Sequence, residues 1–330
     1  MLALAALLFA TAIIAIGTGP VGLHPTTVMR VLGHMLFNHP TEADWPASTE
    51  AIIWISRLPR VLMAMAVGAA LAMAGVVLQA IIRNPLADPY VLGISSGAST
   101  GAAIAIVFFT GIGGLALLSG AAFGGALLAT LIVLLLGGFG RSASPLRLIL
   151  AGMAVGYAFS SITSFIIFAS DSPEASRSVM FWMLGSLANT HWPTAQFSAL
   201  IALLAVLILM TTSRFLDALA EGDESALALG ISPHATRLVL MLLVSLVVAI
   251  MVAGAGSIGF VGLVVPHLAR WLVGVRHHRL LPTSALIGAT VLVLADLGAR
   301  TLFAPQEMAI GVVTGLVGAP LLLLLLNRAR

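Results

Sequence analysis

The chain has 330 residues, of which 60% are hydrophobic and only 8% are charged. Soluble domains carry roughly a quarter charged residues, so this chain cannot cover a water-facing surface and must use lipid as its solvent. It has no cysteine, which excludes disulfides, thiolate metal sites and cysteine nucleophiles. The formal net charge of +3 comes from scattered arginines without any lysine, a pattern unlike a nucleic-acid-binding stripe.

Apolar runs of roughly 17 to 25 residues can each span a bilayer as a helix. We predict ten spans, at 2–17, 59–82, 91–109, 114–137, 146–169, 193–213, 237–254, 257–274, 281–300 and 306–326. The expected fold is an all-α polytopic membrane protein with one transmembrane domain over residues 1–330. No basic residue precedes the first run and no small-residue cleavage site follows it, so we interpret that run as an uncleaved helix.

The arginines predict the orientation, because loops facing the cytoplasm are enriched in basic residues. With the N-terminus inside, ten arginines lie on the cytoplasmic side and five on the outer side. The inner set is Arg83, Arg141, Arg147, Arg214, Arg237, Arg270, Arg276, Arg279, Arg328 and Arg330, and the outer set is Arg30, Arg57, Arg60, Arg177 and Arg300. An even number of spans then places both termini in the cytoplasm.

Glycines four residues apart allow two helix backbones to approach closely. Such pairs occur at Gly97/Gly101, Gly120/Gly124, Gly152/Gly156 and Gly311/Gly315. A single pair can equally reflect the general frequency of glycine in membrane helices. Together the pairs predict a compact bundle.

Two loops are longer than a simple turn requires. The outer loop, from Gly19 to Ser56, carries His24, His34 and His39. Their spacings fit no compact metal motif, so we favour solvated histidines over ligands of iron or haem.

The inner loop, residues 214–237, has acidic residues first, then apolar residues, and then Gly230 followed by Pro233. This order predicts short amphipathic helices that end at Gly230. Because the loop is longer than a turn needs, we expect it to contact another molecule.

Two motifs that suggest enzymes lack their structural context. Residues 93–97 match G-x-S-x-G, which requires a strand–turn–helix elbow, but they open a predicted membrane helix. Gly254, Gly256 and Gly259 match G-x-G-x-x-G without any βαβ unit around them.

The absence of lysine also excludes a P-loop, so any ATP hydrolysis must come from another subunit. We predict no catalytic residue and no metal site.

Ionisable residues in or beside the spans include His267, Arg270, Asp296 and Arg300. Charges within a membrane usually mark function, but Asp296 and Arg300 are four residues apart and could simply pair on one helix. Both interpretations of Asp296 stay open.

Arg57, Arg60 and Arg300 are expected at one level of the outer surface. They could receive carboxylates from a partner or anchor the chain near lipid headgroups.

Several long motifs follow one another from about Arg57 to the C-terminus. They are RLPR at 57–60, RNPLADP at 83–89, FWMLGSL at 181–187, GDESALALG at 222–230, IGFVGLVVPHLAR at 258–270, ADLGAR at 295–300 and GVVTGLVGAP at 311–320. With these motifs the chain closely resembles the FecCD-type permeases, which import iron–siderophore, haem and cobalamin through type II ABC transporters.

The resemblance implies ten helices per subunit and a second permease subunit, expected as a homodimer. It also implies two cytoplasmic ATP-binding subunits, which would hold ATP and magnesium, and a periplasmic substrate-binding protein. This chain itself is expected to bind no cofactor and no nucleic acid, and to lie in lipid in the bacterial inner membrane. An iron chelate, either a siderophore or haem, is the expected cargo.

The resemblance also implies two groups of site residues. The coupling helices that seat on the ATPase correspond to the inner loop, with Asp217, Glu221, Gly222, Asp223, Glu224, Ala226, Leu229 and Gly230. The arginines that receive acidic residues of the binding protein correspond to Arg57, Arg60 and Arg300.

Two alternatives to an iron-chelate importer remain. The first is a cobalamin importer with the same architecture. The second is a secondary transporter that uses Asp296 or His267 as a proton relay, although that class gives no reason for the long inner loop.

Overall fold

The computed structural model describes residues 1–40, 42–109, 113–138 and 145–328, and these residues contain helices and loops but no β-strand. In chain order the helices are α1 (Leu2–Gly17), α2 (Pro25–Phe37), α3 (Ala47–Ile82), α4 (Ile94–Phe108), α5 (Gly114–Gly137), α6 (Pro145–Phe168), α7 (Pro173–Met183), α8 (Trp192–Thr211), α9 (Ser213–Glu221), α10 (Asp223–Ala228), α11 (Pro233–Ala255), α12 (Val261–Val273), α13 (His277–Thr301) and α14 (Ile310–Arg328). The predicted all-α class is therefore confirmed for the described residues. Arg141 and Arg330, used in the orientation argument, lie outside them.

Among the described residues, six helices are long and apolar enough to cross a membrane, namely α3, α5, α6, α8, α11 and α13. Four shorter apolar helices accompany them, namely α1, α4, α12 and α14. Each predicted span overlaps one helix of these two groups. Because α1, α4 and α12 are shorter than a full crossing, the count of ten complete spans stays a prediction.

Helix α3 is the centre of the bundle, and 83% of its most apolar stretch is buried. Two glycines let its backbone touch neighbouring helices. A Cβ atom on Gly68 would lie 2.2 Å from the carbonyl oxygen of Gly288 in α13, and one on Gly75 would lie 1.8 Å from that of Gly262 in α12. No other residue type fits at these distances, so the two crossings depend on glycine.

Some of the predicted glycine contacts are present. A Cβ atom on Gly97 or Gly101 in α4 would lie within 2.3 Å of a carbonyl oxygen of α5. Gly152 and Gly311 similarly face the carbonyl oxygens of Val91 and Leu184. Close approach at these glycines is confirmed.

The predicted contact at Gly120 and Gly124 is wrong within the described residues, because a Cβ atom at either position would meet nothing within 4 Å. Both glycines lie on the exposed face of α5, while the facing glycine of that helix is Gly125.

Helix α12 is short because it begins inside the bundle, where Gly262 packs against Leu71 and Gly75 of α3. The predicted span began at residue 257, but the structure has a loop from there to Phe260, whose φ of 68° is unusual for a residue other than glycine. The Tyr90 hydroxyl joins this loop by donating to the carbonyl oxygen of Ile258 and accepting from its amide, each at 3.0 Å.

The outer segment from Gly19 to Ser56 was predicted as a loop, and that prediction is wrong. It contains α2, and α3 begins as early as Ala47 and passes through a π-helical stretch, Ile52–Arg57. Helices α2 and α7 have 13 and 11 residues, so both are shorter than a membrane crossing, and a search for long apolar runs therefore misses them.

The glycine crossing between α3 and α12 is tested by Gly75→Ala. The added Cβ atom meets backbone, which cannot rotate away, so the variant should lose about 1–3 kcal/mol of stability. The change is measured as a lower thermal unfolding midpoint of the purified protein in detergent. Gly120→Ala is the matched control, since its Cβ atom meets nothing within 4 Å. Equal midpoints for the two variants would contradict this account of the packing.

Candidate functional site

Arg57 lies at the end of the bundle where α1 and α13 end, called here the Arg57 end. Its Nη1 atom donates to the carbonyl oxygen of Ile16 at 2.7 Å, and its Nη2 atom donates to that of Val21 at 2.6 Å. The last carbonyl groups of a helix have no partner within the helix. Arg57, only 5% exposed, therefore ties the end of α1 to α3.

Arg300 holds the end of α1 from the other side. Its Nη2 atom donates to the carbonyl oxygen of Ala15 at 2.9 Å, and its Nη1 atom donates to that of Thr18 at 3.4 Å. Its Nε atom also lies 3.1 Å from Asp296 Oδ2, one turn earlier on α13. The structure thus shows the pairing of Asp296 with Arg300 on one helix, which was one of the two interpretations left open.

Arg60 extends this pair into a network across three segments. Its Nε atom donates to Asp296 Oδ1 at 2.8 Å. Its Nη1 atom donates to both carboxylate oxygens of Glu307, at 3.1 and 2.9 Å. Asp296 is 1% exposed, so its charge depends on the two guanidinium groups beside it.

The structure brings the three arginines of the predicted docking set together, but none of them is free. Arg57, Arg60 and Arg300 are 5%, 7% and 5% exposed, and each is bonded to groups of its own chain. Their docking role stays a prediction. Sequence reasoning missed Glu307, because nothing in the local sequence relates it to an arginine 247 positions away.

The opposite end of the bundle, where α3 ends and α9 and α10 lie, is called here the Asp223 end. Asp217 of α9 accepts hydrogen bonds from the backbone amide of His277 at 3.0 Å and pairs with its Nδ1 atom at 2.6 Å. Since His277 is the first residue of α13, this pair attaches α9 to the start of that helix.

Asp223, the first residue of α10, binds two arginines. It accepts from Arg237 of α11 at 2.9 and 2.5 Å, and it also contacts the guanidinium group of Arg83 at the end of α3. Burial and the nearby charge of Arg237 lower the pKa of Arg83. The Asp223 carboxylate offsets that repulsion and holds α10 against both helices.

The residues of the predicted coupling set differ in exposure. Ala226 is fully buried, and Asp217, Gly222 and Asp223 are half-buried. The exposed members are Glu221, Glu224, Leu229 and Gly230. Asp217 and Asp223 attach the segment to the bundle, and the exposed group offers most of its surface to a partner.

Leu227, which the sequence analysis did not select, is 61% exposed beside Leu229 at 68%. Two exposed leucines next to charged residues are typical of a surface that contacts another protein. The sequence did carry a signal, because Leu227 and Leu229 are two residues apart. When Ala226 of a six-residue helix faces the bundle, two leucines at this spacing cannot both face the bundle as well.

Gly230 ends α10 as predicted. Its φ is 75°, in the left-handed region that favours glycine. Its amide donates to the carbonyl oxygen of Leu227 at 2.9 Å, and the amide of Ile231 donates to that of Ala226 at 2.9 Å. These two bonds form a Schellman motif, so the predicted stop is confirmed.

A cavity of about 690 Å³ lies among α4, α5, α7, α8 and α11. Its polar lining includes Glu174, Arg177, Ser178, Asn189 and Thr194. It lies towards the Arg57 end of the bundle, because its lining residue Thr194 is two residues from Trp192, which donates to the carbonyl oxygen of Trp54 at 2.9 Å. Its volume lies within the range of small-molecule sites.

The described residues contain no group of three or more His, Asp or Glu side chains that could hold a metal ion. Of the outer-loop histidines, His24 lies 2.7 Å from the hydroxyl of Thr26 at the start of α2, and His34 lies 2.7 Å from the carbonyl oxygen of Pro40.

The fold and the two ends define a class: a helical membrane protein with a buried charge network at one end and two short amphipathic helices at the other. The family model of the FecCD transport family matches residues 7–328. The chain therefore belongs to the FecCD transport family, and it is a membrane permease of that family.

Relatives of the chain are import permeases with different printed cargoes. The chain is 44% identical over 292 residues to the vitamin B12 import permease of Salmonella paratyphi A, covering 87% of each chain. It is 41% identical over 293 residues to the hemin transport permease of Yersinia pestis, again covering 87% of each. It is 39% identical over 315 residues to the molybdate import permease of Haemophilus influenzae, covering 96% of this chain and 91% of that one.

A solved structure described as an inward-facing conformation of an ABC transporter of the metal-chelate type is also similar. The TM-score is 0.86 at 36% sequence identity, covering 99% of this chain and 98% of that one.

The bond between Asp223 and Arg237 is tested by hydrogen exchange. Asp223→Asn should raise the exchange rate of the amides of residues 223–230 roughly fivefold, because an ion-pair network of this kind is worth about 1 kcal/mol. Arg237→Gln should have a similar effect, and the double variant should add little to either. Glu224→Gln, which removes an exposed carboxylate from the same helix, is the control. Additive effects of the two changes would show that the pair is not coupled.

Proposed function

We propose that this permease is the membrane-spanning subunit of an ATP-driven importer whose ATPase is a separate protein. The observation that carries the proposal is the segment formed by α9, α10 and the turn that ends α10, residues 213–230, called here the coupling segment. It is bonded to α13, α3 and α11 through Asp217 and Asp223, yet it exposes Leu227 and Leu229. A force applied to this segment is passed to three helices of the bundle. The chain has no lysine for a P-loop of its own.

The proposed arrangement in the membrane follows from the arginine distribution. The chain crosses the bacterial inner membrane ten times, with both termini and the Asp223 end in the cytoplasm. Two copies form the permease, two ATP-binding subunits seat on their coupling segments, and a periplasmic substrate-binding protein docks at the Arg57 end. ATP and magnesium belong to the ATP-binding subunits.

The proposed mechanism is alternating access. A loaded binding protein docks at the outer end, and ATP binding closes the ATPase pair. The coupling segment moves with the ATPase and carries the helices bonded to it. Cargo crosses without chemical change.

The proposed cargo is an iron chelate, either a siderophore complex or haem. The hemin permease and the transporter of the metal-chelate type support this choice. The relatives described as importing vitamin B12 and molybdate make those two cargoes the ones to test against it. The cavity beside α7 carries both an acidic and a basic residue, Glu174 and Arg177, on its wall.

The secondary-transporter alternative gains no support from the site. A proton relay needs a carboxylate that is free to exchange protons, whereas Asp296 is bonded to Arg60 and paired with Arg300. His267, the other candidate, lies 3.0 Å from the carbonyl oxygen of Pro85.

The coupling role is tested by the variant Leu227→Ser/Leu229→Ser. Loss of two exposed leucines from an interface should weaken ATPase binding at least tenfold, since each buried leucine contributes about 1.5–3 kcal/mol. The measurement is co-purification of the ATPase with the permease and transport in proteoliposomes. Phe37→Ser, which alters an 80% exposed residue at the end of α2, away from the Asp223 end, is the control. Full ATPase binding by the double variant would contradict the assignment.

The cargo is tested by ATPase stimulation in the reconstituted importer. Binding protein loaded with a ferric siderophore or with haem should raise the ATPase rate and drive uptake into proteoliposomes. The same binding protein is offered cobalamin and molybdate in parallel. Stimulation and uptake with cobalamin or molybdate alone would reject the iron-chelate assignment while leaving the ATP-driven importer intact.

A further inference from the structure

We infer that Arg60 is the arginine that receives a carboxylate of the binding protein, and that Glu307 occupies its place until docking. The inference rests on the proposed docking at the Arg57 end. It divides the three arginines into two that hold the fold and one that can exchange its partner.

Arg57 and Arg300 each bond to a buried carbonyl oxygen of α1, and a partner could not replace that bond without disturbing the fold. Arg57 donates to the carbonyl oxygens of Ile16 and Val21, which belong to the end of α1 and the turn after it. Arg300 donates to the carbonyl oxygens of Ala15 and Thr18 in the same region. Withdrawing either guanidinium group would leave one buried carbonyl oxygen unpaired, that of Ile16 or that of Ala15, which costs about 1–3 kcal/mol.

Arg60 differs from Arg57 and Arg300 because one of its two partners is buried and the other is partly exposed. Its Nε atom is bonded to Asp296, which is 1% exposed and cannot leave. Its Nη1 atom is bonded to Glu307, whose side chain is 40% exposed. Glu307 lies in the loop between α13 and α14, outside any helix, so its side chain can move without breaking helical hydrogen bonds.

Glu307 also covers the arginine. The Arg60 side chain is only 9% exposed beneath it, so a carboxylate from outside can reach Nη1 only when Glu307 moves away. An incoming Asp or Glu would make the same bonds that Glu307 makes, because both oxygens of one carboxylate accept from Nη1. Exchange of one carboxylate for another keeps Arg60 paired throughout.

Charge attracts an acidic group to this end. Three arginines, Arg57, Arg60 and Arg300, lie beside two carboxylates, Asp296 and Glu307. A carboxylate that takes the place of Glu307 leaves this count unchanged, so the exchange creates no unpaired charge. An acidic side chain on the face of the binding protein is therefore the partner group that this site fits.

The first test needs no binding protein. Phenylglyoxal, which modifies accessible guanidinium groups, is applied to the full-length protein in nanodiscs, and labelling is quantified by peptide mass spectrometry. Glu307→Ala, which removes the covering side chain, should raise labelling of Arg60 at least fivefold and leave Arg57 and Arg300 unlabelled. Asp171→Asn, which removes an exposed carboxylate between α6 and α7, is the control and should change nothing. Equal labelling of Arg60 with and without Glu307 overturns the inference.

The second test measures docking of the loaded binding protein on the permease–ATPase complex in nanodiscs. Glu307→Gln should tighten docking roughly fivefold or more, because it removes a competing carboxylate. Arg60→Gln should weaken docking, and Glu307→Gln should then have no further effect. If Arg60→Gln leaves docking unchanged, the proposed docking role of this residue fails. If Arg60→Gln weakens docking but Glu307→Gln does not tighten it, only the exchange inferred here fails.

Discussion

The close crossings of α3 with α12 and α13 are the constraint on which the remaining structure depends. Lipid provides no hydrophobic drive between helices, so contact must come from backbones that approach closely. Gly75 against Gly262 and Gly68 against Gly288 supply that approach. With α3 and α13 in this register, Arg60 reaches Asp296 at one end of the bundle, and Arg83 reaches Asp223 at the other.

The two ends then satisfy their charges in different ways. At the Arg57 end the guanidinium groups are buried, and they complete the hydrogen bonding of α1 as well as pairing with Asp296. At the Asp223 end the acidic residue is half-exposed, and it draws two arginines to the start of α10. A buried network is costly to break, whereas an exposed one can adjust when a neighbour moves. This difference makes the Arg57 end the more rigid of the two and leaves the segment at the Asp223 end able to respond to a neighbour.

The predicted site residues acquire separate roles from this geometry. In the coupling segment, Ala226 and Asp223 face the bundle while Leu227 and Leu229 face away from it. In the docking set, Arg57 and Arg300 bond to backbone, and Arg60 alone pairs with an exposed carboxylate among the contacts described for the three. Family resemblance identifies the regions, and the contacts within one chain distinguish the residues in each region.

The sequence by itself determined the all-helical membrane class, the positions of the apolar helices, the family and the stop of α10 at Gly230. Each depends on a local pattern: a long apolar run, a motif, or a glycine after a short helix. Only the tertiary structure decided that Gly125 rather than Gly120 faces α4, that α12 begins inside the bundle, and that Glu307 covers Arg60. Arg60 lies 236 positions from Asp296 and 247 from Glu307. A pattern within one helix carries no information about which distant charge will lie beside it, because the packing of the other helices sets that distance.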